Sequence, residues 1–296
     1  MKILVFIKEV VDTRVPVEYD EAAGGLRMGW NAPLLNPGDR AAVKAALKIK
    51  EAFPGTRITL VHLGPVSGER IIREVYSLGC DEGLRIWDED IENLEPRAKA
   101  LIFERVARVW GFDLMFAGAR SEDTGSGQLA VLLACRLRAP CITHVTAVEK
   151  LSKMRLAATR MLTGGYVERV ESPVPCVISM EADEDPDPYA SLPALFTAAE
   201  RKIDCLDLAR IGISRQSILA ESCLTCGPLR FPVPRARFTP APDSSLPAFE
   251  RREGLRMGPV SKREGRITAG DEESVVKEIF RSLLAGGWLH HLRKHD

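Results

Sequence analysis

The feature that most constrains this chain is an alternation. From residue 1 to about 146, short β-rich runs take turns with longer stretches whose apolar residues recur at helical spacing. This pattern predicts a parallel sheet with helices on both faces, because parallel neighbours need a crossover long enough to hold a helix. The strand runs are Ile3 to Ile7, Arg57 to His62, Leu84 to Trp87 and Leu114 to Ala117. A first helix is expected from Asp39, acting as its cap, to about Phe53, where Pro54-Gly55 ends the pattern. A second runs from Ser67 to Leu78 and stops at Gly79. The third starts at Pro96, turns Leu101, Ile102, Val106 and Val109 inward and ends at Gly111. A fourth is expected from about Gly127 to Leu137.

Beyond Met154 the style changes. Extended runs around Gly164-Gly165 and Pro173 to Pro175, reaching Met180, predict antiparallel strands added to the sheet edge. After about Cys205, Pro228, Pro232, Pro234, Pro240, Pro242 and Pro247 prevent continuous helix or central strand, so an extended arm is expected. A last helix, Asp271 to Leu284, carries Val275, Val276, Ile279, Phe280, Leu283 and Leu284 on one apolar face that a partner chain or the sheet must cover.

Charge excludes some partners. Lys plus Arg and Asp plus Glu both total 41, so no global field favours nucleic acid or an anionic membrane. The first apolar run is too short for a secretory core, and no stretch approaches the roughly 18 apolar residues of a membrane span. A cytoplasmic protein is expected. Seven cysteines without a framework spacing predict reduced thiols, and Cys223 and Cys226, the only C-x-x-C pair, lack the further pair a zinc site would need. No metal site is expected.

An open parallel sheet binds ligands at the carboxyl ends of its strands. Here those ends carry Lys8, the stretch Leu35 to Asp39, the stretch His62 to Pro65, and the loop Gly118 to Gln128. That last loop sets Gly125 and Gly127 around Ser126 and then opens a helix, an arrangement whose bare N–H groups can receive a phosphate or simply make a tight capped turn. Asn36-Pro37 can orient a base or ribose, or serve only as a turn and cap. Lys8 can balance phosphate charge or point to solvent. No Walker motif, G-x-G-x-x-G, G-x-S-x-G or H-E-x-x-H occurs, and His62 and His144 have no recognisable nucleophile nearby. A binding protein without catalytic side chains is therefore expected, with a stand-alone adenine-nucleotide-binding regulatory or hydrolytic protein as the competing class.

At this point the chain resembles a known family. Lys2 to Asp12, Asn36-Pro37-Gly38-Asp39, Leu63-Gly64-Pro65, Leu78-Gly79-Cys80-Asp81, Gly118 to Gln128, Gly164-Gly165, Tyr189-Ala190-Ser191-Leu192-Pro193 and Arg266 to Asp271 follow, in order, the motifs of the beta subunit of electron transfer flavoproteins, the Etf beta or FixA family. The resemblance implies an α/β fold with a mostly parallel doubly wound sheet of adenine-nucleotide-binding type, antiparallel edge strands and a C-terminal extended arm plus helix. It divides the chain into a nucleotide-binding domain over 1–205 and, over 206–296, an arm and helix that embrace an alpha subunit.

The same resemblance implies a heterodimer in which the alpha subunit holds the electron-transferring FAD and the beta crevice holds AMP, or a second FAD that exchanges hydride with NADH in bifurcating members. Electrons would pass between a dehydrogenase or other oxidoreductase and a quinone-linked or ferredoxin-type acceptor. Carried over residue by residue, the nucleotide contacts are Phe6, Asn36, Pro37, Gly38, Asp39, Leu63, Ser121, Glu122, Asp123, Thr124, Gly125, Ser126, Gly127 and Gln128, beside the Lys8 already singled out. The chain departs from the family at Gly38, where an aromatic is usual, at Arg120, where Gln is common, and at the acidic run Glu181 to Asp187, where a leucine usually meets the redox partner. That run is either a solvated loop or a surface for a basic partner.

Overall fold

The computed structural model describes residues 1–12, 14–15, 18–20, 25–27, 33–88, 91, 94–152, 154–183, 187–221, 243–257 and 269–285. They fall into two compact units, Met1–Phe231 and Pro232–Asp296. The first begins with β1 (Lys2–Ile7), β2 (Glu9–Val11), β3 (Glu18–Asp20), β4 (Gly25–Arg27) and β5 (Pro33–Leu35), followed by α1 (Pro37–Ala52) and β6 (Arg57–Leu63). It continues with α2 (Glu69–Tyr76), β7 (Glu82–Ile86), α3 (Pro96–Trp110), β8 (Leu114–Gly118) and α4 (Leu129–Leu137). Then come β9 (Cys141–Leu151), β10 (Arg155–Met161), β11 (Val167–Pro173), β12 (Cys176–Met180), α5 (Leu192–Glu200), β13 (Asp204–Leu206) and α6 (Arg215–Ala220). The second unit holds α7 (Ala248–Met257) and α8 (Glu272–Ala285).

Nine strands form one sheet in the order β11-β10-β9-β12-β8-β1-β6-β7-β13. All neighbours from β9 to β13 along this order run parallel, and β9, β10 and β11 pair antiparallel. β1 explains why. Its alternate residues serve two cores: Ile3, Val5 and Ile7 pack with α1 and α2 on one face, while Leu4 and Phe6 pack with α3, α4 and α6 on the other. A strand buried on both sides is continuously apolar and sits in the middle of a parallel sheet. From β1 the chain winds outward through β6 and β7, then crosses to β8 on the other flank. That reversal makes the carboxyl ends of β1 and β8 the topological switch point, where the crossovers diverge and a crevice opens.

Several expected boundaries move for identifiable reasons. α1 starts at Pro37, with Asn36 as the N-cap residue and no side-chain cap bond, because the Asn36 and Asp39 side chains bond to other segments. The second helix breaks into a 3-10 turn at Val66–Gly68 followed by α2. α4 begins at Leu129, since Gly127 has φ +61° and cannot continue a right-handed helix. Val109 is 68% exposed on the outer face of α3, not inward.

The sheet edge needs a larger correction. β10 and β11 form the expected antiparallel hairpin around Gly164-Gly165, but β12 lies inside the sheet, parallel to both β9 and β8. All five of its residues are buried, which a half-exposed edge strand would not allow. The boundary at 205 also moves outward. β13 pairs with β7, and Leu208, Ile211, Ile213 and Ile218 are buried in the α3–α4 core, so residues up to α6 belong to the first unit. Arg136 on α4 adds to this attachment by bridging Glu104 on α3 and Glu221 just after α6.

Most of the proline-rich arm, with Cys223 and Cys226, lies outside the described residues. α8 forms as expected, capped by Asp271, which accepts from the Ser274 N–H (3.0 Å). Val276, Ile279, Phe280 and Leu283 on it are exposed. Among the described residues no helix is long and apolar enough to cross a membrane.

Two residues that sequence patterning treats alike should therefore differ. Phe116, wholly buried on β8, should cost roughly 3–5 kcal/mol when changed to alanine. Val109→Ala should stay within about 0.5 kcal/mol of the parent in the same urea titrations.

Candidate functional site

The crevice at the switch point is built on two buried polar side chains. Asn36, 1% exposed, donates from Nδ2 to the Arg120 carbonyl (3.1 Å) and accepts at Oδ1 from the Glu122 N–H (3.1 Å). It therefore fixes the start of the 118–128 loop against the start of α1. Asp39, one helical turn on, accepts from the Lys8 N–H at one oxygen and from the Gly118 N–H at the other, both at 2.8 Å. One carboxyl thus joins the ends of β1 and β8.

Glycines let these segments approach. A Cβ on Gly118 would stand 2.5 Å from Asp39 Oδ1, and one on Gly38 would stand 3.0 Å from Gly118 Cα. Gly38 is used for close backbone packing, and it lies behind the crevice wall.

Burial pushes the Asp39 carboxyl up to about 7, against the Gly118 N–H, the Asn36 amide and the Lys8 N–H, which all favour the ionised form. At the rim, the Lys8 ammonium meets the Asp123 carboxylate at 2.6 Å. Burial raises Asp123, but bonds from Lys8 and Ser121 outweigh it and hold the carboxyl below the usual carboxylate range. Across the crevice, Lys99 in the first turn of α3 is held below the ordinary lysine range by burial and by the nearby charge of Lys8.

The loop itself turns twice in the left-handed region, at Gly125 and Gly127, each with φ +61°. Ser121 and Thr124 hydroxyls bond at 2.8 Å, and the Gly125 N–H closes onto the Ser121 carbonyl (2.9 Å). Among the described residues, the backbone N–H groups of Ser126, Gly127 and Gln128 have no intramolecular partner. They lie directly ahead of α4, whose nine residues direct a positive dipole end toward the same space.

Of the residues expected at the site, Phe6, Lys8, Asn36, Asp39, Leu63, Ser121, Thr124, Ser126, Gly127 and Gln128 line one cleft of about 160 Å³. Pro37, Gly38, Glu122, Asp123 and Gly125 shape the surrounding segments without lining it. Phe6 is part of the floor: its ring packs on Phe103 with centroids 4.5 Å apart. Leu94, Pro96, Lys99 and Phe103, which come from α3 and its lead-in, and Leu129 line the cleft without being expected there, while Ala119 and Arg120 belong to the 118–128 loop already singled out. The signal is present in the sequence, since α3 is also entered from the carboxyl end of a strand, but Pro96 by itself reads only as a helix start.

The histidines stand apart from the cleft. His62 is buried, its Nδ1 bonded to the Ile7 carbonyl (3.1 Å) and its Nε2 packed against Gly64 and Gly68. Burial lowers its pKa and keeps the ring neutral. His144 is exposed and bonds to Glu181. The acidic run is partly neutralised by α1: Asp187 pairs with Arg40 (3.0 Å) and Asp183 with Lys44.

A sequence model described as the electron transfer flavoprotein domain matches residues 32–203. The chain belongs to the electron transfer flavoprotein family, as a member of its beta-subunit branch. It is 29% identical to the caffeyl-CoA reductase-Etf complex subunit CarD of Acetobacterium woodii, covering 73% of this chain and 82% of that one. It is 27% identical to an electron transfer flavoprotein subunit beta of Bacillus subtilis, over 73% and 82%. With Protein FixA of Azotobacter vinelandii the figures are 27%, 72% and 77%. The domain match takes in Asn36, Asp39 and the whole 118–128 loop of this electron transfer flavoprotein member, while β1, which supplies Phe6, and Lys8 just after it precede the match.

Two measurements test this construction. Asn36→Ala should remove both ties to the loop and leave the Glu122 N–H and Arg120 carbonyl without their buried partner. The expected loss is about 1–3 kcal/mol in urea unfolding, with faster proteolysis of the 118–128 segment. Asp39 has a folded pKa raised above its unfolded value. Its contribution to stability is therefore complete below about 4 and is lost as pH rises through about 7. The stability difference between the parent and Asp39→Asn should shrink across that window, and a difference independent of pH would contradict the assignment.

Proposed function

We propose that this chain is the beta subunit of a heterodimeric electron transfer flavoprotein that holds an adenine nucleotide, AMP in the first reading, in the cleft between β1, β8 and α3. The observation that carries the reading is the cluster of unpartnered N–H groups at Ser126, Gly127 and Gln128, set at the end of α4 and beside Lys8. Such a cradle suits a phosphate. The apolar wall of Phe6, Leu63, Leu94 and Phe103 suits the flat face of a base.

In this reading the side chains bind and orient, and a bound flavin supplies the electron chemistry. Asn36 and Asp39 keep the loop seated on the sheet, Lys8 is stabilised by Asp123, and no side chain need transfer a proton. The FAD that carries electrons belongs to an alpha subunit, with which the C-terminal arm and α8 associate. The exposed apolar residues Val276, Ile279, Phe280 and Leu283 on α8 favour that association. Redox partners are a dehydrogenase or another oxidoreductase.

A second reading places a second FAD in the same cleft, where it would exchange hydride with NADH. It is favoured by the likeness to a subunit of a caffeyl-CoA reductase-Etf complex and to an acryloyl-CoA reductase electron transfer subunit gamma, 29% identical over 70% of this chain.

One experiment addresses both. The chain is purified with an electron transfer flavoprotein alpha subunit, the complex is denatured, and the released nucleotides are separated and quantified. FAD and AMP in equal amounts are expected. Two FAD per complex would replace the first reading by the second, and release of no nucleotide beyond one FAD would overturn both, as would failure of the two chains to associate.

A further inference from the structure

His62 is a buried ring that takes no direct part in the cleft. It lies near the carboxyl end of β6, in register with Ile7, the last residue of β1, and is 2% exposed. Its Nδ1 meets the Ile7 carbonyl at 3.1 Å, and because a carbonyl only accepts, that nitrogen carries the proton. Nε2 is then a bare lone pair, and among the described residues it has no hydrogen-bond partner.

What surrounds Nε2 is the backbone of the turn that follows. A Cβ on Gly64 would stand 2.4 Å from it and one on Gly68 2.1 Å, closer than real Cβ atoms come to any neighbour. Neither glycine takes a positive φ, so the path of the turn does not itself require them. Gly68 has φ −70° and ψ −8° at the entry to α2, a conformation that alanine adopts freely and ordinarily with a gain in stability. The missing side chains make room for the tip of the ring. That ring has little freedom to swing aside, since the Ile7 carbonyl holds Nδ1 while both glycines crowd Nε2. Strand alternation puts His62 with Ile58 and Leu60 on the face covered by α1 and α2, and Leu63 with Val61 on the opposite face. Leu63 belongs to the apolar wall of the cleft. The ring therefore stands behind the cleft and props the segment that presents Leu63 to it.

Resting on the nucleotide reading of that cleft, we propose that His62 is a positioning residue: its ring is a wedge between the end of β1 and the turn from Gly64 to Gly68, and the wedge sets where Leu63 meets the base. His62 and Gly68 form a matched pair, in which a large ring is admitted by an absent side chain.

The test is a double-variant cycle on the full chain in complex with its alpha subunit. It is read by amide hydrogen exchange over residues 63–69 and, after the cleft is stripped of nucleotide, by calorimetric titration with AMP. Gly68→Ala should speed exchange across the turn by roughly tenfold, the scale of one overpacked methyl group in a filled interior. It should also weaken AMP binding by roughly fivefold, a fraction of the burial of one leucine. His62→Asn removes the ring tip and keeps a donor for the Ile7 carbonyl. In that background Gly68→Ala should be neutral or protective, and the double variant should recover most of the AMP affinity lost by Gly68→Ala alone. A complex that assembles as the double variant but not as Gly68→Ala would equally support the pairing. The same effect of Gly68→Ala in both backgrounds, or failure of both complexes to assemble, would overturn the wedge. Coupling seen in exchange with AMP affinity unmoved would confine His62 to a structural role and overturn its part in positioning. If the parent binds no AMP, the nucleotide reading fails and the positioning role with it, while the exchange measurements still decide whether His62 and Gly68 are paired.

Discussion

The carboxyl group of Asp39 holds the crevice together. It is buried, yet its two oxygens accept from the N–H groups of Lys8 and Gly118, the points at which β1 and β8 end. Those two strands are neighbours in the sheet, but the chain leaves them in opposite directions, so nothing in the strand ladder itself closes the gap above them. A backbone N–H left bare in that position would be costly, and a single acceptor supplied by α1 satisfies one on each side. Asn36 extends the same logic to the 118–128 loop, pairing with a carbonyl and an N–H that the loop cannot pair internally. The entry of α1 is thus both a helix start and the keystone of the site.

Close approach follows from this arrangement. Gly38 and Gly118 face each other because the acceptor must reach the strand end, and a side chain on either would intrude on the other's backbone or on Asp39 itself. Placing the helix so near the sheet also sets the cleft's character. Its polar side includes the 126–128 backbone segment, Lys8 and Lys99, and its apolar side Phe6, Leu63, Leu94 and Phe103. The two histidines that a search for acid-base chemistry would consider first are a buried neutral ring and an exposed ring paired with a glutamate.

Much of this was legible in the residues. The runs at β1, β6 and β8 were readable because strands buried on both faces are uniformly apolar, and Gly55, Gly79 and Gly111 all take positive φ at the stops expected of them. The motifs Asn36 to Asp39 and Gly118 to Gln128 come together at one crevice. Their internal roles were less legible. Asp39 looks like a helix cap in any one-dimensional reading, because its partners, the N–H groups of Lys8 and Gly118, lie 31 and 79 residues away. Val109 matched the apolar spacing of α3 but falls at its outer margin. β12 reads as an edge strand because its neighbours in sequence form a hairpin, whereas its neighbours in space are β8 and β9.

By itself, then, the sequence determined the layered α/β class and the family whose motifs run in order along the chain. These properties depend on local periodicity, turn residues and crossover length, all of which are written within a few tens of residues. Only the tertiary structure decided which side chains face the cleft. It brought Lys99 and Phe103 to the site from α3, turned Gly38 and Asp39 into structural supports, inserted β12 into the sheet and carried the first unit through α6. The physical reason is common to all four: each depends on a non-local contact, made where crossovers meet at a strand end, and no spacing along the chain encodes which distant backbone group will need a partner there.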